Sequence, residues 1–238
     1  MQKNLIFLDT ETTDKIDGRL VQLAYKKRGD ASMVVEFFKP PVPIKIEAMA
    51  VHHITEKKIV GKPAFADSRA KGTLSALLAD AILVAHNAKF DVGILKTEGV
   101  ETKEYICTLK VAQTMYDLPM YKMQYLRYLW GIEDDDATAH DAEGDVLILE
   151  KVFEHMMRDY AVKNNASESE TIDAFIAISK NPLLLRTLSF GKHAGKTFEE
   201  IKATDPSYLQ WMATLPGKDE DFVYTVNYYL GNLTPPRG

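Results

Sequence analysis

The sequence lacks the features that mark secreted and membrane proteins. Its single cysteine, Cys107, cannot form an internal disulfide bond, which agrees with a reducing compartment. No stretch approaches the roughly 18 consecutive apolar residues that predict a membrane-spanning helix. No basic segment followed by an apolar run and a cleavage site precedes the first predicted strand. We therefore expect a cytoplasmic protein with no membrane partner.

The sequence also lacks an excess of positive charge. Its 29 Lys and Arg residues against 34 Asp and Glu give a net charge of -5, so it has no general attraction for polyanions. Metal ions and local lysines can still reverse the field at a cleft, so a phosphodiester substrate is not excluded.

The apolar pattern predicts an α/β fold. Apolar runs bounded by Asp/Gly turns predict three strands, at residues 5–8, 20–26 and 33–38, which form an antiparallel meander. A short apolar strand is predicted at 81–85. The predicted helices lie near residues 67–78, 92–97, 108–115, 122–130 and 141–158. This order of elements favours a mixed sheet flanked by helices.

The chain is long enough for one large core and a small second unit. Residues 163–170 are polar and predict a linker, and a glycine-rich turn at 191–195 lies among aromatic residues that could form a second core. The predicted organisation is a large N-terminal domain over 1–160, a linker and helix over 161–182, and a small α-rich C-terminal domain over 183–238.

Two carboxylates, Asp9 and Glu11, follow the apolar run of the first strand. Side chains two apart on a strand share a face, and carboxylate oxygens are the ligands that Mg²⁺ and Mn²⁺ prefer. Asp91 and Asp145 supply two further acids if their segments converge on the first. Such a set could hold two divalent ions about 4 Å apart, which activate water and stabilise both oxygens of a phosphoryl displacement.

His140 lies five residues before Asp145, so it can project toward the same cleft. Histidine side chains titrate near neutral pH, and His140 could therefore take a proton from the attacking water as a general base. In this hypothesis water is the nucleophile.

Simpler interpretations exist for several of these residues. An Asp-x-Glu sequence by itself is more often a solvated turn than a ligand pair. His86 is more simply a structural histidine, and Asn87 could cap the following helix. The acidic run at 133–136 is most simply a solvated loop.

Three segments together carry a family resemblance: FLDTETT at 7–13, AHNAKFD at 85–91 and HDAEGD at 140–145. In order and spacing they resemble the three motifs of the DEDDh family, the proofreading-type 3′-5′ exonucleases of the DnaQ-like group. Residues 51–55 are similar to a further family segment, with His53 where glycine is usual.

The resemblance implies an RNase H-like fold, two Mg²⁺ or Mn²⁺ ions, and stepwise release of nucleoside 5′-monophosphates from a 3′ end. The implied metal ligands are Asp9, Glu11, Asp91 and Asp145, with His140 as the general base. The candidate contacts to the terminal nucleotide are Thr10, Thr12, Thr13, Ile16, His52, Asn87 and Phe90. For His52, packing within a loop is an equal alternative.

We expect DNA as the substrate, with single-stranded 3′ ends preferred, and a polymerase or other nucleic-acid-processing complex as a protein partner. An RNA-trimming enzyme stays open, because the metal site does not choose between the two sugars. A non-catalytic module that tethers a polymerase or nuclease complex is the alternative of a different class.

Residues 188–201 and 205–211 resemble the small C-terminal domain of exonuclease X-like proteins. Five Lys and Arg residues between 180 and 202 stand against two Glu. Basic residues among aromatic ones are typical of surfaces that bind single strands. We expect this domain to help hold nucleic acid; the alternative is that its aromatic residues form a core and its lysines are ordinary surface charge.

Overall fold

The structure is a computed structural model, and it describes residues 3–133 and 142–233. The chain forms two compact units, Met1–Ser179 and Lys180–Gly238. The predicted domain limits stay a prediction. The helix Glu168–Lys180, which follows the polar stretch, contributes Ile172 and Phe175 to the core of the first unit.

A mixed sheet lies at the centre of the first unit. Its five strands are β1 (Leu5–Thr12), β2 (Leu20–Lys27), β3 (Val34–Phe37), β4 (Ile82–Ala85) and β5 (Glu104–Cys107). Their spatial order is β3-β2-β1-β4-β5. The first three strands pair antiparallel and form the predicted meander, whereas β4 pairs parallel with both β1 and β5. The predicted α/β class with a mixed sheet is confirmed, and β1 is the central strand.

Helices cover both faces of this sheet. They are α1 (Ile46–His52), α2 (Arg69–Leu78), α3 (Lys89–Thr97), α4 (Thr108–Met115), α5 (Met123–Leu129), α6 (Ala142–Asn164) and α7 (Glu168–Lys180). Helix α1 and strand β5 were not predicted from the sequence. Among the described residues no helix is both long enough and apolar enough to cross a membrane.

Alternate residues of β1 belong to two different cores. Leu5 and Phe7 pack in the cluster that includes residues of α4, α5, α6 and α7. Ile6 and Leu8 pack in the cluster that includes residues of α2 and α3. The strand is buried on both faces, which explains why its sequence is a continuous apolar run rather than an alternating one.

An aromatic cluster fixes helix α6 against the sheet. The Phe153 ring lies 5.3 Å from that of Phe7 on β1 and 5.9 Å from that of Phe175 on α7, both in edge-to-face geometry. All three side chains are fully buried. Such pairs add a directional preference to the burial of apolar area.

Two ion pairs hold the same helix to β2 and to the residue after it. Lys26 Nζ lies 2.6 Å from a carboxylate oxygen of Glu150. Arg28 donates to the two carboxylate oxygens of Glu154, from Nε at 2.6 Å and from Nη2 at 3.0 Å. These pairs lie one turn apart along α6, so they fix its rotation about its own axis.

The second unit is a small helical domain, as predicted. It contains α8 (Phe198–Thr204), α9 (Pro206–Ala213) and α10 (Glu220–Tyr229). Each helix begins at a polar residue whose side chain accepts a backbone N–H: Thr197, Asp205 and Asp219. The core is made of the apolar residues Leu188, Phe198, Ile201, Leu209, Met212, Phe222 and Val226.

Replacing Phe153 with alanine should lower the free energy of unfolding by about 3–5 kcal/mol, because the cavity would remove packing between α6, α7 and β1. Urea denaturation followed by circular dichroism measures this loss. Val162, on the same helix but 84% exposed, provides the control, and Val162→Ala should change stability by less than about 0.5 kcal/mol. Equal losses in the two variants would contradict the assigned packing.

Candidate metal centre

Three carboxylates meet where β1 approaches the start of α6. Asp9 and Glu11 continue the face of β1 that carries Leu5 and Phe7, so they point toward the layer that contains α6. Asp145 lies in the first turn of that helix, where the helix dipole favours negative charge. One ligand oxygen from each of the three acids lies within 4.8 Å of the others.

This spacing fits a divalent cation. Oxygens on opposite sides of a Mg²⁺ ion lie about 4 Å apart, twice the metal–oxygen distance. The three carboxylates therefore need only small side-chain movements to share an ion. An all-carboxylate set also matches the preference of hard cations for oxygen ligands.

Asp91 lies against the other face of β1. Its Oδ1 accepts a hydrogen bond of 2.8 Å from Thr10 Oγ1, and Thr10 faces the α2/α3 core because strand side chains alternate. Burial raises the pKa of Asp91 to about 7. The structure thus brings three of the four predicted ligands into one cluster and holds the fourth at Thr10, which was predicted as a nucleotide contact.

Two polar residues of α5 orient the Asp145 carboxylate through hydrogen bonds. Gln124 Nε2 donates to Asp145 Oδ1 at 3.0 Å, and Arg127 Nη1 donates to Gln124 Oε1 at 3.4 Å. Arg127 Nε also donates to the carbonyl of Ile132 at 3.3 Å. The amide therefore has a fixed orientation, with its nitrogen toward the carboxylate. Sequence reasoning assigned no role to Gln124.

The predicted general base, His140, lies outside the described residues. Helix α6 begins at Ala142, two positions after it, and reaches Asp145 within its first turn.

Two of the predicted nucleotide contacts, Thr12 and Thr13, build the turn after β1. Thr12 Oγ1 donates to the carbonyl of Asp14 at 2.8 Å, and Thr13 Oγ1 accepts from the backbone of Arg19 at 3.0 Å. A Cβ at Gly18 would lie 2.1 Å from the Asp14 carbonyl oxygen, so the turn closes only around glycine at this position. Both threonines are buried.

His52 is also buried, and both ring nitrogens bind backbone groups. The N–H of Ile54 donates to Nδ1 at 3.0 Å, and Nε2 donates to the carbonyl of Thr12 at 3.2 Å. Burial lowers the pKa of His52, so the ring is neutral at physiological pH. The ring, at the last residue of α1, thus joins the segment after this helix to the end of β1.

The remaining candidates for nucleotide contact differ in accessibility. Ile16 is 76% exposed, Asn87 is exposed and Phe90 is half-buried. Asn87 has a positive φ of 69°, and its carbonyl accepts from the Phe90 N–H at 2.9 Å. Helix α3 begins after Ala88 without a side-chain cap, so Asn87 does not cap it. Asn87 is exposed at the surface.

His86 links the sheet to the segment before α5. Its Nε2 donates to the carbonyl of Tyr121 at 2.9 Å, which leaves Nδ1 to accept from the hydroxyl of Thr108 at 2.9 Å. Burial lowers the pKa of His86 to about 4. A neutral imidazole with a hydrogen bond at each ring nitrogen has a structural role.

Two family models match the chain, one within each of its two compact units. The family model described as "Exonuclease" matches residues 6–153, and one described as "Exodeoxyribonuclease X-like C-terminal" matches residues 188–214. Exodeoxyribonuclease 10 of Escherichia coli K12 is 27% identical over 96% of this chain and 99% of its own length. The DNA polymerase III subunit epsilon of Treponema pallidum is 27% identical over 71% of this chain and 85% of its own.

Solved structures share the fold. Exonuclease X in complex with 5′ overhanging duplex DNA superimposes with a TM-score of 0.53 at 22% identity, over 74% of this chain and 99% of that one. Escherichia coli Exonuclease I in complex with a dA16 oligonucleotide gives a TM-score of 0.57 at 17% identity, over 73% of this chain and 43% of that one. At these identities the likeness establishes the fold alone.

Replacing Gln124 with alanine should weaken metal binding about 10- to 100-fold, the usual effect of removing a group that orients a ligand. Binding of Mn²⁺ to the full chain without substrate, followed by electron paramagnetic resonance, measures the affinity. Gln210→Ala, which removes an exposed glutamine from α9, is the matched control. An unchanged Mn²⁺ affinity in Gln124→Ala would contradict the orienting role.

Asp91 should make the metal-free protein less stable as the pH rises. Its pKa is about 7 when folded against an ordinary value of 3.8, so between these values unfolding releases a proton. The stability of the wild type should fall relative to Asp91→Asn by about 1.4 kcal/mol per pH unit in this window and level off above it. Urea denaturation in EDTA measures both proteins, and parallel pH profiles would show that Asp91 is ionised throughout.

Proposed function

The chain belongs to the exonuclease family, and from this premise we propose that it is a metal-dependent enzyme that degrades DNA from the 3′ end and prefers single-stranded ends. The observation that carries the proposal is the convergence of Asp9, Glu11 and Asp145 within 4.8 Å at the centre of the matched domain. Nucleoside 5′-monophosphates are the expected products.

Each acid has a distinct place in this proposal. Asp9, Glu11 and Asp145 place one oxygen each within 4.8 Å of the others. Asp91, which accepts a hydrogen bond from Thr10, would be the fourth ligand. Two divalent ions, Mg²⁺ or Mn²⁺, would supply activation of water and stabilisation of the leaving oxygen when bound. His140 would accept the proton of the attacking water.

DNA is favoured because the chain resembles an exodeoxyribonuclease over almost its entire length, including the second unit. The resemblance to polymerase III epsilon subunits favours a polymerase complex as a protein partner. A cytoplasmic address is supported by the one cysteine, Cys107, which is buried and free.

The first test is incubation of the full chain with a 5′-labelled single-stranded DNA, and with RNA of the same sequence, in Mg²⁺ or Mn²⁺. We expect a ladder that shortens from the 3′ end, faster for DNA, and no ladder in EDTA. Asp9→Ala should abolish it, and His140→Ala should slow it by about 10²- to 10⁴-fold, the usual contribution of a general base.

Asp30→Ala removes an exposed carboxylate from the turn after β2 and should trim as fast as the parent. A faster RNA ladder would assign the enzyme to RNA trimming. Strand binding without product from either substrate would favour the non-catalytic tethering module, and unimpaired trimming by Asp9→Ala would refute the assigned metal site.

A further inference from the structure

An exposed tryptophan stands on the surface of the second unit. Trp211 lies on α9 and is 48% exposed, although large aromatic side chains are usually buried. Tyr208, one helical turn earlier, lies beneath it with ring centroids 4.9 Å apart. The indole therefore contacts another ring, inclined to it by 39°, and about half of the Trp211 surface stays accessible.

The glycine-rich turn at 191–196 packs against the same tyrosine. Lys192 Nζ lies 4.9 Å from the centroid of the Tyr208 ring, and the His193 ring meets it edge-on at 4.8 Å. A Cβ at Gly191 would lie 2.3 Å from Tyr208 Oη, and the φ of this residue is +73°. The positive φ favours glycine, and any side chain at this position would have to displace the Tyr208 hydroxyl, so the contact between turn and tyrosine is close.

Asp205, the N-cap of α9, fixes the turn in place. Its Oδ2 accepts from Lys192 Nζ at 2.7 Å and from His193 Nε2 at 3.0 Å, and its Oδ1 accepts from Ser207 Oγ at 2.7 Å. Lys192 above all, with the other two donors, holds the pKa of Asp205 well below its usual range. The carboxylate therefore stays charged and holds Lys192 beside the aromatic pair, while the lysine side chain keeps 61% of its surface exposed.

Lys196 adds a second exposed cation to this turn. Its carbonyl accepts from the N–H of Leu188 at 2.9 Å, and the N–H of Gly195 donates to the Leu188 carbonyl at 2.7 Å. Two hydrogen bonds to Leu188 thus fix the backbone at Lys196. A cation already held beside an aromatic ring, as Lys192 is beside Tyr208, costs little ordering entropy on binding.

We propose that Trp211, with Lys192 and Lys196, forms a second binding surface for single-stranded DNA, in which a base stacks on the indole and the lysines bind neighbouring phosphates. This inference rests on the proposed function, since it supposes a DNA substrate. The positive charge comes from Lys196 and from the exposed Lys192 in its ion pair with Asp205, and it favours a polyanion. None of the other exposed residues of α9 is a large apolar side chain, unlike the surroundings of an anchor for a protein partner: Pro206, Ser207, Gln210 and Ala213.

The chain allows a direct test because it has two tryptophans. Trp130→Phe leaves Trp211 as the only indole, so its fluorescence reports on this surface alone. We would titrate this variant of the full chain with an oligothymidylate of about 16 nucleotides, the upper end of known single-strand site sizes, in EDTA. We expect quenching of the Trp211 emission, and much weaker quenching by an abasic strand of the same length, which offers phosphates without bases.

Affinity measurements on the otherwise unaltered chain separate stacking from charge. Trp211→Ala should weaken binding of labelled oligothymidylate about 5- to 100-fold, the range for loss of one stacked base, and Trp211→Phe should recover much of it. Val223→Ala, which truncates a 46% exposed side chain on α10, is the matched control and should bind as the parent does. Lys196→Gln should reduce the slope of log affinity against log salt by about 0.7.

Three results would each overturn the proposal. They are binding of the strand without a change in Trp211 emission, an unaltered affinity in Trp211→Ala, and no binding in EDTA. An oligouridylate of the same length that quenches more strongly would overturn its DNA preference. These measurements contain no metal and need no catalysis, so their failure is distinct from failure of the 3′ ladder.

Discussion

The site depends on the alternation of side chains along one buried strand. Strand β1 lies between two apolar cores, so successive side chains must enter opposite layers. That constraint sends Asp9 and Glu11 toward the layer of α6 and sends Thr10 toward the layer of α3. Each layer then contributes one further acid, Asp145 from α6 and Asp91 from α3. The position of the metal site is therefore set by which face of the central strand each polar residue occupies.

The position of each acid is as well defined as the packing of the strand or helix that carries it. Helix α6 cannot rotate or slide freely, because Phe153 interlocks with β1 while Glu150 and Glu154 pair with cations of β2 and the residue after it. Gln124 then fixes the orientation of the Asp145 carboxylate itself. Rigid elements and a second layer of hydrogen bonds together provide the preorganised geometry that a metal site requires.

The elements predicted correctly from the sequence are those with a strong local pattern of apolar residues. The apolar run of β1 and the two acids after it were visible in the sequence. Strand Glu104–Cys107 was missed because it has four residues and no alternation, and it forms by pairing with β4. Helix Ile46–His52 was missed because it follows several prolines and buries only its last residue. The contacts of Thr10 and Gln124 arise between distant segments, so no spacing in the sequence reports them.

The alternation of β1 also determines which changes in chain length the protein can accept. Inserting one residue before Asp9 would turn Asp9 and Glu11 into the α3 layer and Thr10 toward α6, burying charge and dispersing the acids at once. No substitution elsewhere in the strand would restore both faces. At the turn after β2, by contrast, Gly29 is exposed with open space around it. Insertions and deletions in this lineage should therefore collect at such turns, while the segment from Leu5 to Thr12 keeps its length as its side chains diverge.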